Sequence, residues 1–244
     1  MEHELWFTAI LNKVLGAPVA ALLTHLGFRP TDVAHPIPNY MAMEILVTAI
    51  IVIAALVLRR RLSVEHPHTF QQAMEAVVEF VRDLNEEIIG QDSGRYLALI
   101  GTLGIFIFLC NVLGLIPTLA TPTGNIQVTL GCAVAAFIYY NFHGVRHHGF
   151  LGYLKHFMGP IWWMAVLMFP LEIISNVGRL LSLSVRLYAN MSVGDILSAV
   201  FTSIIPIAVP AIFMALHLFV ALLQAYIFML LPAIYIGMAV SSEH

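Results

Sequence analysis

Charge is scarce in this chain. Asp, Glu, Lys and Arg supply 10% of its 244 residues against 60% hydrophobic ones, and the mean hydropathy is +0.89. A water-soluble domain of this length has no core large enough to hide so much apolar surface. The few charges cluster and leave uncharged runs over 96–142 and 196–240, each long enough for about two bilayer crossings of roughly 20 residues. In lipid a helix satisfies its own backbone and irregular chain does not, so the expected fold class is an all-α integral membrane bundle. A basic face is missing too: 11 Lys and Arg against 14 Asp and Glu give a net charge of −3, which offers nothing to a phosphate backbone, and no nucleic-acid partner is expected. Cysteine is nearly absent. Cys110 and Cys132 lie singly in apolar stretches without CxxC spacing and read as packing residues, not as a disulfide or metal site. The opening MEHELWF is acidic and lacks a basic region followed by a small-residue cleavage site, so no cleaved signal peptide is expected.

The pattern that remains predicts an outer or interfacial segment over 1–37 and one membrane domain over 38–244. In the first part, Trp6, Phe7, Ile10, Leu11, Val14 and Leu15 stand at helical spacing, as in a helix lying in the interface. A first crossing over about 38–58 stops at Arg59, Arg60 and Arg61, which sets that end in the cytoplasm and the N-terminus outside. Over about 69–89, Phe70, Ala73, Met74, Val77, Val78, Val81, Leu84 and Ile88 alternate with Glu75, Glu79, Arg82, Asp83 and Glu86. This is an amphipathic helix on the cytoplasmic surface, with Thr69 expected as its N-cap. Pro117, Pro122 and Gly124 divide the next apolar run into crossings over about 96–116 and 124–142 joined by an outer turn. Arg146, His147, His148 and Lys155 follow on the inner side; His143, His147 and His148 read as solvated loop histidines in preference to a metal site. A long hairpin over about 160–203 and 210–240 turns near Pro206 and Pro210. Its arms exceed a perpendicular crossing, so they are expected to be strongly tilted. Five crossings leave the C-terminus in the cytoplasm.

Charges inside a crossing are informative because even lenient insertion scales charge about 2.5–3.5 kcal/mol for one Arg or Asp at mid-bilayer. Glu172, Arg179 and Arg186 recur every seven residues, with Ser175, Asn176, Ser182 and Asn190 between, so all are expected on one helical stripe. Glu172 and Arg179 can neutralise each other, which leaves Arg186 with no acid on its own face. Asp195, nine residues on, is turned by about 900° to the opposite side. A turn about Pro206 sets Asp195 level with His217, and Arg186 level with Gln224 and Tyr226. Asp195 and His217 then lie about 13 Å to the outer side of Arg186, and Glu172 about 21 Å to its inner side. These positions describe two polar routes, one open to each side. Arg186, permanently protonated, divides them and is suited to meeting a carboxylate from another protein.

The segments SLSVRLYANMSVGD, LLQAYIFMLLPAIYIGMA, NVLGLIPT and MFPLEII resemble subunit a of bacterial F-type ATP synthases, from about residue 38 to the end. The resemblance implies that Arg186 is the essential arginine facing the carboxylates of a c-ring. It also implies that Asn190, Asp195, His217 and Gln224 line the outer half-channel, and Glu172, Ser175, Asn176 and Arg179 the inner one. Two departures stand out: Asp195 where Glu is frequent, and Ala189 where Gly is common. The implied partners are the c-ring, the peripheral-stalk subunit b, the remaining synthase subunits and membrane lipid, in a bacterial inner membrane, with no cofactor and no metal. A proton-coupled secondary transporter is the alternative. It should carry paired repeats and a broken helix at its binding site, and the sequence shows no such repeat. A b-type haem carrier needs facing intramembrane histidines, which His217 alone does not supply.

Overall fold

The computed structural model describes residues 5–25, 36–90, 93–116, 119–158, 165–204 and 208–240. Among them the chain forms α-helices α1 (Trp6–His25), α2 (Asn39–Arg60), α3 (Thr69–Ile89), α4 (Leu97–Leu113), α5 (Ile126–Met158), α6 (Ala165–Ile204) and α7 (Ala208–Val240), with no strand. Two 3-10 turns, Ser93–Arg95 and Pro122–Gly124, precede α4 and α5. Four stretches are long and apolar enough to cross a bilayer: Asn39–Arg60, Ile126–Gly149, Val166–Phe201 and Ile212–Val240. The 17 residues of α4 reach about 25 Å and sit at the lower limit for a crossing. The chain is thus an all-α, multi-pass membrane protein.

Local sequence explains where the helices begin and end. Asn12 on α1 grips the backbone of Ile37 with both ends of its amide, Nδ2 donating to the carbonyl at 3.2 Å and Oδ1 accepting from the N–H at 3.0 Å, which ties α1 to the start of α2. The expected cap at Thr69 is corrected: Thr69 is the first helical residue of α3, and His68 holds the cap position with extended backbone and no side-chain bond. The end of α3 falls at Gly90, whose φ of 91° only glycine adopts without strain. On α3 the charged residues Glu75, Glu79, Arg82, Asp83 and Glu86 are exposed and Val81 and Leu84 are buried. Phe70 and Val78, on its apolar face, are exposed, as suits a face turned to lipid. Nothing breaks the helix after Phe142, so α5 continues through the expected histidine loop to a kink at Gly149 (φ 73°). There His143 packs against the rings of Tyr139 at 4.4 Å and Tyr96 at 5.0 Å. Pro210 falls in the first turn of α7, where a missing N–H breaks no helical bond; Pro206 lies outside the described residues.

Two clusters bind the bundle. Leu103, Ile107, Ala133, Leu187, Met191 and Phe228 join α4, α5, α6 and α7. Val81, Tyr96, Ile100, Tyr140, Ala233 and Ile236 join α3, α4, α5 and α7. Buried alanines at 133, 136, 221, 225, 233 and 239 let the helices approach closely, as membrane helix packing requires. Of the four long spans, the one in α6 is the least covered, with 11% of it buried against 17–39% for the others.

Candidate half-channel residues on α6 and α7

The seven-residue series on α6 runs along the seam between its packed and bare flanks. Asn176 is buried, Glu172, Arg179 and Arg186 are half-buried, and Ser175, Ser182 and Asn190 are exposed. The single stripe expected from spacing is therefore graded from Asn176 to Ser182 across about a third of the helix circumference; Asn190 departs from the grade, exposed at the azimuth of the half-buried Glu172.

At the end of α6 near Gly194, Asp195 faces the connection between α4 and α5. Its Oδ1 accepts a hydrogen bond from Thr121 Oγ1 at 3.2 Å, and a methyl group on Gly124 would lie 3.2 Å from its Oδ2. Ser192 Oγ donates to the carbonyl of Gly124 at 3.2 Å. His217 on α7 is buried with its imidazole over Gly194, where an added Cβ would sit 2.9 Å from Cε1. The two residues read as level are thus neighbours across the α6–α7 hairpin. No direct hydrogen bond joins them: Asp195 is held by Thr121, and His217 Nε2 is buried without a partner among the described residues. Gln224, two turns along α7, is buried too, with its Oε1 unpaired among the described residues. Buried polar atoms left this way are sites for ordered water, since the desolvation they otherwise suffer costs about 1–3 kcal/mol each.

Toward the other end of α6, Arg179 lies 3.7 Å from Glu172, and its guanidinium carbon is 5.4 Å from the centre of the Tyr235 ring on α7. Asn176 is bound from α5: Tyr140 donates its hydroxyl to Asn176 Oδ1, while Asn176 Nδ2 donates to Asn141 Oδ1 at 3.2 Å. Tyr153, past the Gly149 kink, donates to the same Asn141 oxygen at 2.9 Å. Burial pushes the Tyr153 phenol above its ordinary value, with Arg179 opposing, so it stays a donor. Between the two clusters stands Arg186. No carboxylate among the described residues pairs with it.

Spacing did not reveal Thr121, Tyr140, Asn141, Tyr153 or Tyr235, nor the buried bond of 2.6 Å from Thr123 Oγ1 to Asn111 Oδ1. Asn111 and Tyr235 carried a signal only through the segments NVLGLIPT and LLQAYIFMLLPAIYIGMA that contain them. Among the described residues, no group of three or more His, Cys, Asp or Glu side chains is arranged to hold a metal.

These features define a class: a helical membrane protein with polar groups divided to either side of an intramembrane arginine. The family model described as ATP synthase A chain matches residues 41–237. The chain is 44% identical to the ATP synthase subunit a of Koribacter versatilis over the full length of both. It is 44% identical to that of Solibacter usitatus, covering 96% of this chain and all of the relative, and 35% identical to that of Geobacter sulfurreducens over both full lengths. The chain belongs to the ATP synthase A chain family, a membership that does not favour the transporter alternative.

Proposed function

We propose that this chain is the proton-translocating subunit of the membrane sector of a rotary ATP synthase, working in complex with the other subunits of that sector. It offers two offset half-channels to the carboxylates of a c-ring. The outer one is lined by Asn190, Asp195, His217 and Gln224, and the inner one by Glu172, Ser175, Asn176 and Arg179. The observation that carries the reading is Arg186: a permanent cation, half-buried, at the edge of the bare flank of α6 and without an acid of its own among the described residues. The nearest acids along the helix are Asp195, about 13 Å one way, and Glu172, about 21 Å the other, and Glu172 is already paired with Arg179. A guanidinium so placed attracts an ionised carboxylate arriving on a ring and favours release of its proton; it does not pass a proton itself. The ring site then takes a proton from the other route. The subunit b stalk and the remaining synthase subunits complete the partners, in a bacterial inner membrane. The N-terminus is outside and five crossings bring the C-terminus to the cytoplasm.

The experiment is proton flux in vesicles reconstituted with the whole complex. Arg186→Ala assembles but loses ATP-driven pumping and synthesis, and the lost barrier permits passive leak. Arg186→Lys is also severely impaired, because a compact ammonium replaces a planar fork and can lose its proton when buried. Near wild-type pumping by an assembled Arg186→Ala complex would falsify this reading.

A further inference from the structure

Two arginines on α6 compete for one task. Arg179 and Arg186 are seven residues apart, so Arg179 sits about 10.5 Å along the axis and only about 20° around it from Arg186. An unrestrained guanidinium at 179 would present a second cation on nearly the same line as the first. Of the tethers found at Arg179, only the Tyr235 ring comes from a different helix. Glu172, one more seven-residue step along the same line, pairs with it at 3.7 Å, and the Tyr235 ring on α7 lies 5.4 Å from its guanidinium carbon. Tyr235 is itself set by Tyr140 on α5, ring centre to ring centre 5.7 Å. Tyr140 also holds Asn176, three residues before Arg179 on α6. Behind Tyr140, Tyr153 and Asn141 complete the bonded group. Tyr153 lies so close to Gly144 that a methyl group there would meet its ring at 2.5 Å. Three helices thus converge on one side chain, while Arg186 has no tether of this kind among the described residues.

The geometry points to Tyr235, backed by Tyr140, as a positioning residue that sequesters Arg179, so that Arg186 alone meets the passing ring carboxylate. The charged and titratable groups around Arg179 are Glu172 on its own helix, Tyr140 and Tyr153 from α5 and Tyr235 from α7. Only Glu172 among them supplies a full opposite charge, and it is 43% exposed. An ion pair as open as that holds weakly, so the aromatic face is needed to keep the guanidinium turned. Removing the face releases a second cation that traps a ring carboxylate about 10.5 Å from the proper place. The inference rests on the role proposed for Arg186.

The test is an epistasis measurement on ATP-driven pumping by the assembled complex in vesicles. Tyr235→Phe keeps the ring and pumps near the wild-type rate. Tyr235→Leu pumps about tenfold more slowly, the order expected for loss of a desolvated cation–π contact. Tyr235→Leu combined with Arg179→Gln pumps faster than Tyr235→Leu alone, because the released cation is gone. A merely structural tyrosine would not be rescued by a second substitution at 179. Tyr235→Met, whose longer and more adaptable side chain fills irregular gaps, replaces the leucine variant should the latter disturb assembly. A double variant no faster than Tyr235→Leu, or a Tyr235→Leu complex at the wild-type rate, overturns the clamp. Arg186→Ala separates the two ideas: an inactive Arg186→Ala complex together with an unrescued double variant refutes the clamp alone, whereas an active one removes the role on which the clamp depends.

Discussion

Gly194 gives His217 its room. A methyl group at 194 would sit 2.9, 3.1 and 3.2 Å from Cε1, Nδ1 and Nε2 of the imidazole, closer than side chains pack, and His217 is buried with little space to retreat. Gly194→Ala is therefore expected to displace the imidazole and to slow proton flow from the outer side. Asp195→Asn and His217→Ala remove the proton-capable groups themselves, and each is expected to slow flow by about a hundredfold, the lower range for loss of an acid–base group. Pumping assays with the complex intact check all three; unchanged rates in Asp195→Asn and His217→Ala would return both residues to structural status. Legibility differs sharply among these positions. The charged members of the site were visible because charge in a bilayer has to be accounted for by something, and periodicity gave their faces. Thr121 was not visible: it lies 74 residues from Asp195 in the chain, on a connection with no periodicity, and a lone threonine carries no signal. Tyr140 was hidden for a related reason, and Tyr235 was not singled out within its segment, since an aromatic in an apolar helix reads as packing until its neighbours are known.

Among the elements, the connection from α4 to α5 matters most to the outer site. A Cβ on Gly114 would lie 2.1 Å from Oγ1 of Thr121 and 2.8 Å from its Cβ. Threonine, branched at Cβ, has few rotamers with which to escape. Gly114→Ala is thus expected to push Thr121 off Asp195, and to cost about tenfold in pumping, in keeping with a charge-assisted bond worth about 1.5–3 kcal/mol. Thr121→Val tests the same bond without the clash and is expected to lie close to Gly114→Ala; a normal rate in both would leave the Thr121 contact without a role in proton flow. Helix identities in this region followed from uncharged runs and from Pro and Gly placement. The length of α5 did not, because a cluster of histidines and one arginine resembles a polar loop although none of these residues stops a helix. Only Gly149, with its positive φ, does so.

For the whole molecule, the cluster of Val81, Tyr96, Ile100, Tyr140, Ala233 and Ile236 gathers α3, the start of α4 and the last turns of α7 at one end. Tyr139 adds a bond from α5 to the carbonyl of Arg95 at 3.3 Å. Basic residues collect there: Arg59, Arg60 and Arg61 just before α3, Arg95 before α4 and Arg146 late in α5. By the positive-inside bias this end is expected in the cytoplasm. Single cysteines introduced at 61 and 147 should then be labelled by an impermeant maleimide from the same side of sealed vesicles, and labelling from opposite sides would break the five-crossing arrangement. The bare flank of α6 carries one more consequence. Its exposed side chains are mostly aliphatic, Leu171, Ile174, Val185, Val193 and Ile196 among them, with Ser175, Ser182 and Asn190 as polar exceptions. Aliphatic contacts have no preferred angle, and each atom pair contributes only about 0.1–0.2 kcal/mol, so a surface sliding past them meets nearly the same energy at every step. A continuous row of hydrogen-bonding groups would act as detents and dissipate work as friction; three short polar side chains do not make such a row. In the role proposed above the flank is a largely aliphatic bearing, and torque registers at the guanidinium because it carries a full charge where its aliphatic neighbours carry none.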